Sequence, residues 1–130
     1  MSPSTATFGK QERIVSRKLM EELFEGGRSR TVMAFPLRGV CMTMARKEGA
    51  PPVQVLISVP KKRLRHAVDR NRAKRQVREA YRLNKQRLWE RVPEGKALAV
   101  VFIWLADTPK DSRRVSQSVC SILHQLEDRL

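Results

Sequence analysis

Residues Lys61–Arg82 read KKRLRHAVDRNRAKRQVREAYR, and their spacing predicts a helix that carries an unusual concentration of cations. Lys61–Arg91 contains thirteen Lys and Arg against three acidic residues, a surplus of ten out of the chain's net +14. Like charges one turn apart destabilise an isolated helix, and a polyanion that neutralises them removes the repulsion. The pattern therefore predicts that this segment binds nucleic acid.

The predicted helix has an apolar side and a cationic side. At about 100° per residue, one arc holds apolar side chains and another holds polar and cationic ones. The apolar arc consists of Ala73, Val77, Ala80, Tyr81 and Leu88, and the other arc of Asn71, Lys74, Arg75, Arg78, Arg82 and Lys85. A merely solvated face is the alternative, but such faces usually mix charge signs. Asn71 either hydrogen-bonds a base edge or sugar of the partner, or caps the start of the helix.

The rest of the chain predicts a single α+β domain, an α-β sandwich in the order αβββαβα. A first helix, Arg17–Glu25, is predicted to begin after the cap Ser16 and to end at Gly26-Gly27. Two strands follow, Thr31–Leu37 and Val40–Ala45, around a predicted turn at Arg38-Gly39. The next predicted elements are the alternating strand Val53–Val59, the basic helix Ala67–Arg91 and the apolar central strand Ala97–Ala106. A last helix carries a predicted buried stripe of Val115, Val119, Ile122, Leu126 and Leu130. Residues 1–7 are predicted to be disordered.

Composition excludes several classes of protein. The longest apolar run is the length of a strand, so no membrane span is expected. The start, MSPSTATFGK, lacks the basic and apolar parts of a signal peptide, which predicts a cytoplasmic protein. Cys120 and His124 have ligand-compatible spacing, and Cys41 with His66 could complete a zinc site. Nothing in the sequence pairs the distant two, and small thiols on helix faces usually pack in cores, so we predict no metal site.

The basic segment resembles the signature of the bacterial ribonuclease P protein component. The resemblance lies in Ala67-Val68, Arg70-Asn71-Arg72, Lys74-Arg75 and Arg78-Glu79, preceded by Ile57-Ser58-Val59 and Lys61-Lys62. Glu12-Arg13-Ile14 and Phe24 before Gly26-Gly27 are also similar to the opening of that family. The similarity extends over residues 8–130, which the resemblance makes one ribonuclease P protein domain. It implies a four-stranded sheet with a left-handed crossover, as in the ribosomal S5 domain 2-like fold.

The resemblance also implies a function and a set of site residues. The family's protein is a subunit of a ribonucleoprotein endonuclease that removes the 5′ leader from precursor tRNA, with one protein expected per catalytic RNA. The RNA and its Mg²⁺ perform the hydrolysis, so no protein side chain is expected to be catalytic. The residues that match the family's catalytic-RNA contacts are Arg70, Asn71, Arg72, Lys74, Arg75, Arg78 and Arg82. Those that match its leader contacts are Met20, Phe24, Phe35, Lys61 and Lys62, with Met20 at a position where the family commonly has an aromatic ring.

Other interpretations of the basic helix explain less of the sequence. A ribosomal or general RNA-binding protein shares the helix but would not prefer precursor over mature tRNA. A DNA-binding helix module does not fit the αβββαβα order. A membrane-surface or calmodulin-type helix would carry more bulky aromatic residues, and a protein-only nuclease would need an acidic metal cluster. The Arg63–His66 segment departs from the shorter family turn, and His66 is expected on a surface loop.

Overall fold

A computed structural model describes residues 13, 17–25, 27 and 29–130 of the protein. Its elements are α1 (Arg17–Glu25), β1 (Arg30–Ala34), β2 (Leu37–Ala45), β3 (Val53–Ser58), α2 (Ala67–Asn84), α3 (Gln86–Arg91), β4 (Lys96–Trp104) and α4 (Ser112–Asp128). The α+β class and the order αβββαβα are confirmed, with the basic helix divided in two. Segment 1–7 and the predicted cap Ser16 lie outside the described residues. No helix in the described part is long and apolar enough to cross a membrane.

The four strands form one mixed sheet in the order β1-β2-β4-β3. β2 is antiparallel to both β1 and β4, and β3 is parallel to β4, with Val55 opposite Val100. β4 is therefore a central strand, and its side chains are buried on both faces from Ala97 to Phe102, as its continuous apolar sequence predicts. The connection from β3 to β4 runs through α2 and α3, and for it the resemblance implies a left-handed crossover.

The helices divide between the two faces of the sheet. The larger core lies under α2, α3 and α4, where Val77, Val119 and Ile122 pack on alternate residues of the strands. The smaller core lies under α1, where Leu23 packs on Val40, Met42, Ala99 and Val101. α1 is therefore the only helix among the described residues whose buried side chains belong to this second core. That face of the sheet is more thinly covered.

The turn between β1 and β2 lies at Phe35-Pro36, so the prediction of a turn at Arg38-Gly39 is wrong. Pro36 has no N–H to donate to a strand ladder, and the peptide bond before it is cis. Gly39 is instead paired within β2, opposite Val32 on β1 and Phe102 on β4. A Cβ on Gly39 would lie 3.0 Å from Ile122 Cγ2, so this glycine lets α4 approach the sheet closely.

The predicted single helix Ala67–Arg91 ends at Asn84, and α3 follows after Lys85. The Asn84 side-chain amide donates to the Ala80 carbonyl oxygen at 2.7 Å, where it competes with the helical backbone bond. Lys85, which the sequence places on the cationic arc, is fully buried. Its Nζ lies 4.5 Å from the centroid of the Trp89 ring, a cation–π contact between the junction and α3. Lys85 is therefore removed from the cationic surface.

Candidate nucleic-acid interface

The outer side of α2 is the most cationic surface of the described structure. Ala73, Val77, Ala80 and Tyr81 are buried against the core, which fixes the rotation of the helix. Asn71, Arg72 and Arg75 consequently point to solvent, and Lys74, Arg78 and Arg82 are half-buried along the same helix. The two arcs predicted from the sequence are therefore present, apart from Lys85.

Arg70 differs from its neighbours because its guanidinium turns back toward the loop before α2. Its Nη1 donates to the carbonyl oxygens of Leu64 and Arg65, at 3.0 and 2.8 Å. Leu64 is buried, so Arg70 ties the base of the basic helix to a loop that is anchored in the core. Arg70 thus has a structural role in addition to its predicted RNA contact.

Asn71 does not cap the helix. The N-cap is His66, in an extended conformation and without a side-chain capping bond, and Asn71 is the fifth residue of α2. The cap interpretation is therefore wrong, and the exposed amide of Asn71 is available to a partner. His66 itself is exposed, as predicted for this loop.

One acid on α2 neutralises a neighbouring cation. Glu79 accepts hydrogen bonds from Nε and Nη2 of Arg82, the first at 3.0 Å. This bond lowers the pKa of the Glu79 carboxyl and raises the pKa of Arg82. Arg78, one turn earlier, has a buried Nε with no hydrogen-bond partner among the residues that the structure describes. Arg82 is thus held by an intramolecular acceptor, whereas Arg78 Nε is not.

The loop between β3 and α2 adds two further cations beside the helix. Lys61 and Lys62 are exposed on a turn that directly follows Pro60, next to the end of β3. The loop borders a concavity of about 410 Å³, which Lys62, Arg65 and His66 share with Asp69 of α2. Arg63 closes one side of it by an ion pair with Asp107 at 3.0 Å. The predicted lysines therefore lie where the β3 edge of the sheet meets α2.

α1 and the thinly covered face of the sheet border a surface that we call the groove beside α1. Leu23 is buried, Met20 is half-buried in the same small core, and Phe24 remains 49% exposed at the C-terminal end of α1. Toward the other end of α1 the groove opens into a cavity of about 370 Å³. Its walls are Lys18, Leu19, Glu22, Met44, Ala45, Lys47, Ala50, Pro51, Gln54 and Ala97. The groove thus combines apolar walls with cations at its rim.

Phe35, the third aromatic or apolar residue predicted to contact the leader, lies apart from Met20 and Phe24. It is in the turn after the edge strand β1, whereas α1 packs over β2 and β4. Lys110 Nζ and Arg114 Cζ lie 5.7 and 6.0 Å from the centroid of its ring, which is 51% exposed. The structure therefore places Phe35 beside the start of α4.

Besides Lys18 and Lys47 of the cavity beside α1, sequence reasoning missed three cations that the fold brings to these surfaces. Lys110 and Arg114 flank the Phe35 ring, and Arg38 lies in β2 with a buried Nε that has no hydrogen-bond partner within the described ranges. Lys110 and Arg114 are far from Phe35 in sequence, and only the packing of α4 on the sheet brings them together. An arginine inside an apolar strand was the available signal for Arg38.

The cysteines and histidines do not form a metal site in the part of the chain that the structure describes, where no three potential ligands come together. Cys41 is buried in the sheet, and this burial raises the pKa of its thiol. His124 instead lies 3.6 Å from the buried carboxylate of Glu127, measured from Nδ1 to Oε2. The conceivable set of Cys41, His66, Cys120 and His124 is therefore not assembled.

Comparisons with known proteins show the family to which the chain is similar. Residues 8–127 match the family model described as Ribonuclease P. A ribonuclease P protein component from Porphyromonas gingivalis is 38% identical over 119 residues, which cover 91% of this chain and 85% of that protein. One from Chlorobium phaeobacteroides is 32% identical over 125 residues, covering 90% of this chain and 86% of that relative.

Solved structures share the fold at lower sequence identity. The RNase P protein from Thermotoga maritima superimposes with a TM-score of 0.64 and 24% identity, covering 88% of this chain and 96% of that one. A Staphylococcus aureus RNase P protein mutant with defective mRNA degradation activity gives a TM-score of 0.66 and 18% identity, covering 89% and 88%. At these identities the structural likeness bears on the fold alone.

Proposed function

The chain belongs to the ribonuclease P protein family, and from this premise we propose how it serves a tRNA-processing ribonucleoprotein. It binds the catalytic RNA subunit through the outer side of α2, and it binds the single-stranded 5′ leader of precursor tRNA along the groove beside α1. The enzyme is an endonuclease that acts on a phosphodiester bond, and the RNA component carries out the hydrolysis.

The observation that carries the proposal is the surplus of outward cations on α2. This helix contains six cationic residues and only two acidic ones. One of the acids, Glu79, is paired with Arg82. Arginine donors in a planar fork suit bidentate contact with phosphate oxygens. The buried apolar side holds the helix rigidly, so Arg72, Arg75 and Arg78 are presented in fixed order to an RNA backbone. Asn71 adds a neutral amide that can bond a base edge or a ribose hydroxyl.

The groove beside α1 suits an unpaired strand. Phe24 offers a half-exposed ring on which a base can stack, and Met20 offers a polarisable apolar side chain in the wall. Lys61 and Lys62 would neutralise phosphates where the strand leaves the groove at the β3 edge. Stacking accepts any base, which fits a leader of variable sequence.

Mg²⁺ enters the proposal as a cofactor of the RNA. Residues 13, 17–25, 27 and 29–130 contain no cluster of three potential metal-ligating side chains, so no step is assigned to a protein-bound ion. When bound to the RNA, Mg²⁺ would supply the activated water and stabilise the leaving oxygen. The protein's cations would lower the repulsion between the two RNAs and so favour productive Mg²⁺ occupancy.

The proposed complex contains one protein for each catalytic RNA. The proposed location of this complex is the cytoplasm. No membrane partner is included, since the surface groups described above suit phosphate and bases.

Equilibrium binding tests the proposal against a general RNA-binding role. The protein should bind bacterial catalytic RNA with a strong salt dependence, and the resulting complex should bind leader-bearing precursor tRNA more tightly than mature tRNA. Equal affinity for precursor and mature tRNA would favour the general RNA-binding interpretation. Tighter binding to a DNA duplex than to either RNA would favour a DNA-binding module.

A further inference from the structure

A second aromatic and basic patch lies outside the groove beside α1. The Phe35 ring is 51% exposed, although burial of a phenylalanine normally stabilises a small domain. The Arg114 guanidinium lies against this residue, with Nη2 donating to the Phe35 carbonyl oxygen at 3.2 Å. Lys110 Nζ lies 5.7 Å from the ring centroid. A half-exposed aromatic ring thus has two cations over it.

The patch is built on a fixed framework. Ser118 Oγ donates to the same Phe35 carbonyl oxygen at 2.8 Å, and Gln125 Nε2 donates to the Met33 carbonyl oxygen at 3.0 Å. α4 therefore holds the end of β1 and the turn at several points. The backbone that carries the ring is therefore held in place before a ligand binds, which lowers the entropy cost of binding.

The patch is also connected to the cationic helix. Gln76 of α2 donates to the Lys110 carbonyl oxygen at 2.9 Å and to Ser112 Oγ at 3.1 Å. The segment that carries Lys110 is therefore attached to the helix that carries Arg72 and Arg75. The cationic side of α2 and the Phe35 patch are therefore joined through the segment that begins at Lys110.

From these contacts we propose that Phe35, Lys110 and Arg114 bind an unpaired nucleotide of the catalytic RNA. Its base stacks on the exposed part of the Phe35 ring, and its flanking phosphates are neutralised by Lys110 and Arg114. This inference rests on the proposed binding of the catalytic RNA by α2. It assigns Phe35 to that RNA, in place of the leader contact expected from the resemblance.

Paired substitutions test the assignment. Phe35→Leu keeps an apolar side chain but removes the ring, and it should weaken binding of the catalytic RNA by about five- to a hundredfold. Phe35→Tyr keeps the ring and should bind almost as tightly as the original protein. In both variants the ratio of precursor to mature tRNA affinity should stay unchanged. Unchanged affinity of Phe35→Leu for the catalytic RNA would overturn the proposal.

Two further measurements separate the possible failures. If Phe35→Leu weakens only the binding of leader-bearing precursor tRNA, the ring contacts the leader and the proposal is wrong. If Arg75→Ala also leaves the affinity for catalytic RNA unchanged, the proposed function itself fails. Zero-length ultraviolet crosslinking of the unaltered protein covers the case in which Phe35→Leu does not fold. A crosslink between Phe35 and an unpaired nucleotide of the catalytic RNA supports the assignment, and its absence contradicts it.

Discussion

Arg70 donates through Nη1 to the Leu64 carbonyl oxygen at 3.0 Å, so one cation of the basic helix also anchors the loop before it. The same nitrogen donates to the Arg65 carbonyl oxygen. The orientation of α2 and the position of the lysine-bearing turn are therefore coupled. Arg70 therefore stabilises the fold and is also proposed to contact RNA. For the exposed Arg75 only the RNA contact is proposed.

This difference predicts that Arg70→Ala and Arg75→Ala will differ in their free energies of unfolding. Arg70→Ala removes two hydrogen bonds from a half-buried guanidinium and should lower the free energy of unfolding by roughly 1–3 kcal/mol. Arg75→Ala should leave that free energy close to its original value, and both should weaken binding of catalytic RNA and flatten its salt dependence. Urea unfolding and RNA titrations measure these quantities. Equal stability of the two variants would contradict the anchoring role.

Removing the Glu79 carboxylate, which accepts hydrogen bonds from Arg82, should strengthen RNA binding. Glu79→Gln removes the carboxylate that holds Arg82, so the affinity for catalytic RNA should rise and the salt slope should steepen by about one phosphate contact. Glu90→Gln on α3 is a matched control, because it makes the same charge change at an acid bonded to Gln86. If both variants strengthen binding equally, the effect is one of net charge alone.

The Glu79–Arg82 pair also predicts the direction in which RNA binding changes with pH. The hydrogen bond from Arg82 lowers the pKa of the Glu79 carboxyl, so the pair is intact above the ordinary glutamate pKa and is lost as pH falls through the lowered value. Arg82 then loses the charged partner Glu79, and RNA binding by the original protein should strengthen in that acid range relative to Glu79→Gln. Parallel pH profiles of the two proteins would contradict this coupling.

Replacing Gly39 should disturb the contact between α4 and the sheet. A Cβ there would lie 3.0 Å from Ile122 Cγ2 and 3.1 Å from Val32 Cγ2, so Gly39→Ala should cost about 1–3 kcal/mol of stability. Val32→Ala removes one of the crowded methyl groups and should cost less in the Gly39→Ala background than alone. Thermal unfolding of the four proteins in this double-mutant cycle measures the coupling. Additive costs would show that the site relaxes without strain.

Phe24 should matter for substrate and not for assembly. Phe24→Leu removes the half-exposed ring beside the groove and should lower the affinity of the RNA–protein complex for precursor tRNA by about fivefold or more. Affinity for mature tRNA should not change. Phe35→Leu serves as the reciprocal control, since it should weaken the binding of the catalytic RNA and leave the preference for precursor tRNA unchanged. If Phe24→Leu lowers the affinity for precursor and mature tRNA equally, Phe24 does not contact the leader.

Local patterns predicted the features that depend on local chemistry. The apolar run of β4, the alternation of β3 and the buried stripe of α4 each follow from side-chain periodicity, and the structure has all three, except that Leu130 lies beyond α4 and is only partly buried. The apolar and cationic arcs of α2 follow in the same way. The family resemblance added the functional residues, which periodicity alone could not name.

Features that depend on tertiary contacts could not be predicted in this way. Lys85 has the sequence position of an exposed cation but is buried over the Trp89 ring. Gly39 looks like a turn residue, yet it is a strand residue that Ile122 packs against. The surroundings of Phe35 come from α4, about 80 residues later in the chain. For Gly39 and Phe35 the deciding side chains, Ile122 and Arg114, are distant in sequence, and for Lys85 the burial depends on how the junction packs in the fold.

The most direct test of the central claim is cleavage of a leader-bearing precursor tRNA by bacterial catalytic RNA at low Mg²⁺, with and without this protein. The protein should raise the cleavage rate, and the RNA should leave a mature 5′ end. Arg75→Ala should need a higher protein concentration for the same rate. A folded protein that binds the catalytic RNA but gives no stimulation would contradict the account.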